Sequence, residues 1–203
     1  MGRAVAQTLG WTYLDTGAMY RAVSLAALTR DVDVADGEAL GRLAASLSLE
    51  LTGDRVLLDG IDVTERIRAE DVTRTVSRVS AHPEVRAVLV AHQRALAEGG
   101  CVVIEGRDIG TTVAPDAPLK VFLTASLDAR AKRRAGDMSQ EGEVPPLEAV
   151  AATLEARDAT DASRAASPLT QPPDALLIDS TALSFEQVVD RIVALVRQRS
   201  HEC

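Results

Sequence analysis

The chain has 203 residues, enough for one domain with inserts. Of these 46% are apolar and only 2% aromatic, so a sizeable core has to be built from Ala, Val and Leu. A formal net charge of −8 argues against a general nucleic-acid binder, which would show a basic face; it leaves room for a small anion held by locally clustered arginines.

Residues 2 to 9 read as a helix, with Val5 and Leu9 at helical spacing and no Ser, Thr, Asp or Asn in front to cap it. Trp11 to Leu14 is a short strand. In Leu14 to Arg21, LDTGAMYR, Asp15 or Thr16 caps a following helix and Gly17 allows a tight entry. Arg21 falls about one turn later. A cation near a helix N-terminus opposes the dipole, so either an anion explains it or it is a plain surface Arg. Asp36 to Leu47 is a further helix. A hairpin follows, Leu49 to Leu51 and Val56 to Leu58 around a Gly53-Asp54 turn, with a second turn at Asp59-Gly60. Two helices, Glu65 to Ser80 and Pro83 to Glu98, come next. The first carries Thr73, Ser77 and Arg78 on a polar side. The second has Val85, Val88, Leu89 and Leu96 as its apolar stripe, with Arg86 off it.

Cys101 to Glu105 is a continuous apolar run ending in Glu, as in a parallel strand covered on both faces. The chain then turns at Gly106 and presents Arg107 and Asp108. Ligands of open α/β sheets bind just beyond such strand ends. A guanidinium beside a carboxylate suits a polar anionic ligand there; the plainer alternative is a capped turn with a solvated Arg. Pro115 to Pro118 is a loop, Leu119 to Leu123 a strand, and an arginine-rich helix begins at Ser126. Gly136 to Pro146 has little apolar content and reads as a mobile excursion. Leu147 to Ala159 returns to helix, with Arg157, Asp158, Asp161 and Arg164 clustered near its end. Ala175 to Ile178 is a strand. Ser184 to Val196 is an amphipathic helix opened by a Ser184–Gln187 capping box.

Short apolar strands alternating with helices predict an α/β fold, a parallel sheet with helices on both faces, and residues from roughly 50 to 98 look inserted between two of its strands. Cys101 and Cys203, the two cysteines, make neither a disulfide framework nor a zinc spacing and read as a core thiol and a terminal thiol. No apolar run reaches membrane-spanning length and the first residues lack the core of a signal peptide, so the cytoplasm is the expected compartment.

LDTGAMYR at 14–21, VSRVSAHPEVR at 76–86, EGRDIGT at 105–111, ARDATDASRAASPL at 156–169 and IDSTALSFEQVV at 178–189 together resemble the bacterial cytidylate kinase family, in order and over essentially the whole chain. The resemblance implies a P-loop nucleoside monophosphate kinase-like fold in one domain, with a monophosphate-binding region and insert at 36–98 and a lid at 133–160. It implies phosphoryl transfer from ATP, with Mg²⁺, to CMP or dCMP, no nucleic-acid or membrane partner, and a monomer. Thr16, Ser77, Arg86 and Asp108 would surround the cytosine. Arg21 and Arg107 would hold the acceptor phosphate, Asp161 and Arg164 the ribose hydroxyls. Arg157 and Arg134 would approach the transferring phosphoryl. Chemistry agrees: phosphoryl transfer needs alignment and dispersal of charge, which planar, permanently charged guanidinium groups supply. A carboxylate beside a guanidinium matches the donor–acceptor edge of cytosine. For Arg130, Lys132, Arg133 and Arg134 a solvated basic face stands as the alternative to a lid role.

One part of the family pattern is missing. The family opens with a strand and a GxxxxGK[ST] phosphate-binding loop, and this sequence contains no such run. MGRAVAQTLGW corresponds to the helix after that loop, so the central strand and loop, roughly twenty residues, are expected to be absent, through a misassigned start or a true truncation. Lys120, inside a strand, cannot substitute. No residue is then assigned to the donor nucleotide or to a metal, and residues 1–203 are expected to turn over little. The alternatives are a catalytically dead nucleotide-binding remnant and a kinase of another small acceptor such as shikimate or dephospho-coenzyme A.

Overall fold

A computed structural model of the chain describes residues 1–98, 100–140, 145–163 and 167–199. Helix α1, Gly2–Leu9, has no side-chain cap at its start and closes on Gly10 in the left-handed conformation (φ 70°), whose N–H returns to the last turn. Strand β1, Thr12–Asp15, runs straight into α2, Thr16–Thr29, because the Asp15 carboxylate accepts the Ala18 N–H at 3.0 Å and caps it. Helix α2 is buried nearly all round: Met19, Val23, Ala22 and Ala27 are fully enclosed. Such a helix belongs at the centre of a core rather than on its surface.

Around α2 stand α3, Gly37–Ser46, and an antiparallel three-stranded sheet of β2, Leu49–Thr52, β3, Arg55–Leu58, and β4, Ile61–Asp62. The two-residue β4 pairs Leu58 with Ile61 across the Asp59-Gly60 turn, and the sequence reading stopped one strand short of it. The single helix expected from Glu65 to Ser80 is instead a 3₁₀ turn, Arg66–Arg68, and then α4, Glu70–Val79. Between them Ala69 is extended (ψ 157°). The break lets Ile67 reach the core, fully buried, and Asp71 fixes the new start by accepting both the Arg66 guanidinium and the Val72 N–H. Helix α5, Pro83–Ala97, packs against α3.

The remaining strands are β5, Val102–Glu105, β6, Val121–Thr124, and β7, Leu176–Asp179. Strand β5 pairs in parallel with β1, Thr12 opposite Val102 and Asp15 opposite Glu105. Strand β6 pairs in parallel with β7, Val121 opposite Leu176. The chain is therefore α/β with parallel strands flanked by helices, as expected. Among the described residues, however, the four parallel strands form two separate pairs rather than one continuous sheet. The run 102–104, read as buried on both faces, is only half-buried, since β5 has a ladder partner on one edge among those residues.

A five-residue π-type turn, Ile109–Val113, follows the Gly106 bend. Helix α6, Leu127–Gln140, continues through Gly136, five residues into the segment expected to be irregular; residues 141–144 lie outside the description. Helix α7, Leu147–Ala162, packs along α6. Helix α8, Phe185–Arg199, opens with the expected capping box: Ser184 N–H donates to Gln187 Oε1 (2.8 Å) and Gln187 N–H to Ser184 Oγ (3.2 Å). Its Val189 and Val193 form a second, smaller core with Val5 of α1. Cys101, expected as a core thiol, is half-buried; Cys203 lies outside the described residues. No helix among the described residues is long and apolar enough to cross a membrane.

Candidate active site

A single cavity gathers the start of α2, the α4–α5 corner, the bend after β5 and the end of α7. Its lining includes eight residues singled out from the sequence: Thr16, Arg21, Ser77, Arg86, Arg107, Asp108, Arg157 and Asp161. Two others are not among them. Arg134 is exposed on α6 and does not line the cavity, although its charge is felt at Arg21. Arg164 lies outside the described residues.

Local geometry explains the convergence. The β1–α2 and β5 ends lie side by side because their strands pair in register, which sets Thr16 beside the Gly106 bend. The Thr16 hydroxyl donates to Glu105 O at 2.9 Å. A Cβ on Gly106 would collide with that hydroxyl and stand 2.6 Å from Ile109 Cδ1, so only glycine allows this approach.

The cavity floor carries a buried ion pair. Arg86 Nη2 donates to Asp108 Oδ2 in a short contact, with the side chains 5% and 7% exposed. Arg86 Nη1 also donates to Ser80 O at 3.2 Å, and the guanidinium carbon lies 5.4 Å from the centroid of the Tyr20 ring. Arg86 was read as lying off the apolar stripe of its helix; off the stripe here means turned into the cavity, not toward solvent. Its Nε is buried with no hydrogen-bond partner among the described residues. An unpaired buried donor costs about 1–3 kcal/mol and is the kind of group a polar ligand satisfies.

Charge is distributed unevenly around the cavity. Arg21 Nη1 donates to two neutral acceptors, Ile67 O (3.1 Å) and Thr73 Oγ1 (2.8 Å). Its pKa is lowered from the usual arginine value, first by burial and then by the positive charges of Arg157, Arg68 and Arg134. Guanidinium groups that repel one another in a half-buried place form a site prepared for an anion. In the same cavity, Arg107 faces two carboxylates, Asp158 Oδ1 from Nη1 and Asp161 Oδ2 from Nε, each at 3.4 Å. Arg157 Nε reaches Asp161 Oδ2 at 4.0 Å. Asp158 also receives Arg130 of α6 in a short ion pair.

Sequence reasoning missed Tyr20, Ser80 and the pairing role of Asp158. Tyr20 was legible, being four residues after Thr16 and so on the same helical face. Asp158 was seen in the cluster without a role, because its partners Arg107 and Arg130 are 51 and 28 residues away.

Among the described residues no three His, Cys, Asp or Glu side chains gather as ligands, so Mg²⁺ is given no ligands and no step. Lys120 is committed elsewhere, its Nζ bound to Pro115 O and, at 2.7 Å, to Asp174.

Comparison with known proteins adds an independent line. The sequence model of the family described as cytidylate kinase matches residues 1–198. A cytidylate kinase of Caldanaerobacter subterraneus subsp. tengcongensis is 46% identical over 200 residues, covering 98% of this chain and 89% of that protein. One from Mycolicibacterium paratuberculosis is 47% identical over 205 residues, covering 98% of this chain and 90% of that protein. A bifunctional pantoate ligase/cytidylate kinase of a Synechococcus strain is 48% identical over 205 residues, covering 98% of this chain and 38% of the larger protein.

Proposed function

The chain belongs to the cytidylate kinase family and is a kinase, and from that premise we propose that its cavity binds CMP or dCMP as acceptor for the γ-phosphoryl of ATP. The observation that carries the reading is the meeting, in one cavity, of the buried Arg86–Asp108 pair with the arginines Arg21 and Arg107. The pair offers a donor beside an acceptor, the complement of the cytosine edge, with Thr16 and Ser77 alongside. Uracil would turn a carbonyl toward Asp108 and leave a buried carboxylate facing an oxygen, so UMP is rejected by the site itself. Arg21 and Arg107 take the acceptor phosphate, where planar forks bind oxygens in two places. Asp161, with Arg164, takes the ribose hydroxyls. Arg157 lines the cavity and Arg134 stands on the neighbouring helix; both serve the transferring phosphoryl.

In this reading residues 36–98 are the monophosphate-binding region and 133–160 the lid. Residues 1–203 supply the acceptor side. They carry no GxxxxGK[ST] run to cradle donor phosphates. Mg²⁺ would arrive with the ATP phosphates, as that ion usually does.

Calorimetric titration of residues 1–203 with CMP, UMP and cytidine tests this. CMP should bind, UMP at least about a hundredfold more weakly, and Arg21→Ala should weaken CMP by about 10- to 100-fold, the value of one or two hydrogen bonds to a charged group, while sparing cytidine. Equal affinity for UMP would overturn the reading. A coupled assay with ATP should show little transfer; fast turnover would refute the need for a phosphate-binding loop.

A further inference from the structure

We infer that Asp158 is a built-in stand-in for the acceptor phosphate: it holds Arg107 in place and yields it when a nucleotide 5′-phosphate enters the cavity. The inference rests on the acceptor reading above and assigns a role to a residue to which none has been given.

The Asp158 carboxylate is divided between two arginines on different segments. Oδ1 faces Arg107 Nη1, on the bend after β5, and Oδ2 faces Arg130 Nη1, on α6. The two contacts are unequal. The Arg130 pair is short, whereas Arg107 stands 3.4 Å from Asp158 and 3.4 Å from Asp161. Charge-assisted N–H···O⁻ bonds of full strength lie near 2.7–2.9 Å. Arg107 is thus held by two long contacts, with most of its five N–H donors uncommitted among the described residues. It is 37% exposed and lines the same cavity as Arg21.

A dianionic phosphate between Arg21 and Arg107 offers short, two-point hydrogen bonds in place of these long ones, and Arg107 goes to it. Asp158 then keeps Arg130 alone. The same carboxylate joins the acceptor bend to the α6–α7 pair, so phosphate occupancy changes what holds those two helices to the bend. Asp158 performs two opposed tasks: it aims Arg107 beforehand, and its negative charge lowers phosphate affinity by competition and repulsion.

The sign of that trade is testable through the ratio of CMP to cytidine affinity, which isolates the phosphate. Asp158→Asn keeps size and one hydrogen-bond acceptor but removes the charge. It should tighten CMP by about three- to tenfold at low salt, as expected for deleting one like charge near a screened surface, and leave cytidine unchanged. Asp158→Ser should shift the ratio the same way and serves if the Asn variant does not fold. Asp158→Glu, which retains the charge, should not tighten CMP. A purely structural Asp158 would weaken CMP and cytidine together; that result, or an unchanged ratio, overturns the inference and leaves the acceptor reading standing. Failure of the unaltered chain to bind CMP overturns both.

Discussion

Around α2 the apolar side chains are closed in: Met19, Leu40, Ile67 and Val72 are completely buried. Around β6 and β7 the enclosure is partial: Ile178 is buried, but Leu123 is 39% exposed and Leu177 54%. Both regions are built largely of aliphatic side chains. The difference lies in how many neighbours each element has been given. Helix α2 is wrapped by α3, α4, α5 and the antiparallel sheet, whereas β6 and β7 pair only with each other among the described residues. The Arg86–Asp108 pair stands on the closed region, which is why two opposite charges can be held at the cavity floor. The arginines of α6 and α7 stand outside it, on two helices that pack mainly on each other.

The largest effect expected from this contrast is at Arg86. Truncating it strands Asp108 in the closed region, and breaking a buried pair on one side costs about 3–5 kcal/mol. Arg86→Ala should therefore lower the urea midpoint of the chain markedly as well as abolish CMP binding. The double variant Arg86→Met with Asp108→Leu should recover most of the stability and none of the binding. A single variant as stable as the parent would mean that the pair is relaxed or solvated, and the contrast between the two regions would break.

That expectation also marks what could be read before the fold was known. The helix starts at Asp15, Asp36 and Ser184 were legible because capping is a local contract between a side chain and N–H groups two or three residues on. Eight of the cavity residues were legible through motifs. The burial of Arg86 was not: a helix pattern separates an apolar stripe from the rest, and a charged position off the stripe looks solvent-facing unless another segment covers it. Here Asp108, 22 residues later, provides the cover. The break at Ala69 was hidden for a related reason, since Glu65 to Ser80 is helix-compatible throughout and only the core's demand for Ile67 interrupts it. Half-burial of 102–104 was misread because an apolar run states what a strand tolerates, not what covers it.

A second, smaller effect separates the regions without any substitution. Amide hydrogen exchange should be slowest in α2, at Met19 to Leu25, and at least about tenfold faster in β6 and β7, because local opening there uncovers little that is buried. Added CMP should slow exchange most at the α4–α5 corner and the bend after β5. Equal protection of both regions would show that the half-exposed strands are held by cooperative packing with the closed core, and the comparison would fail at its root.

The smallest effect lies at the joint that delivers Ile67 to the core. Asp71 lies in the first turn of the restarted helix, and its hydrogen bonds from the Arg66 guanidinium and then the Val72 N–H hold its carboxyl down to about 2. An unfolded chain releases that proton near the ordinary aspartate value of about 3.9. Because the folded value is the lower one, the contribution to stability is fully present above pH ~4 and is lost as the pH falls from there toward 2. Thermal melts of the parent and Asp71→Asn should differ at pH 6 by a constant small gap that closes between pH 4 and 2. The site is solvent-exposed, so the gap is modest. A gap that persisted unchanged at pH 2 would show that the Asn variant loses shape rather than charge. The closed region would then depend on the fit of this turn and not on its electrostatics.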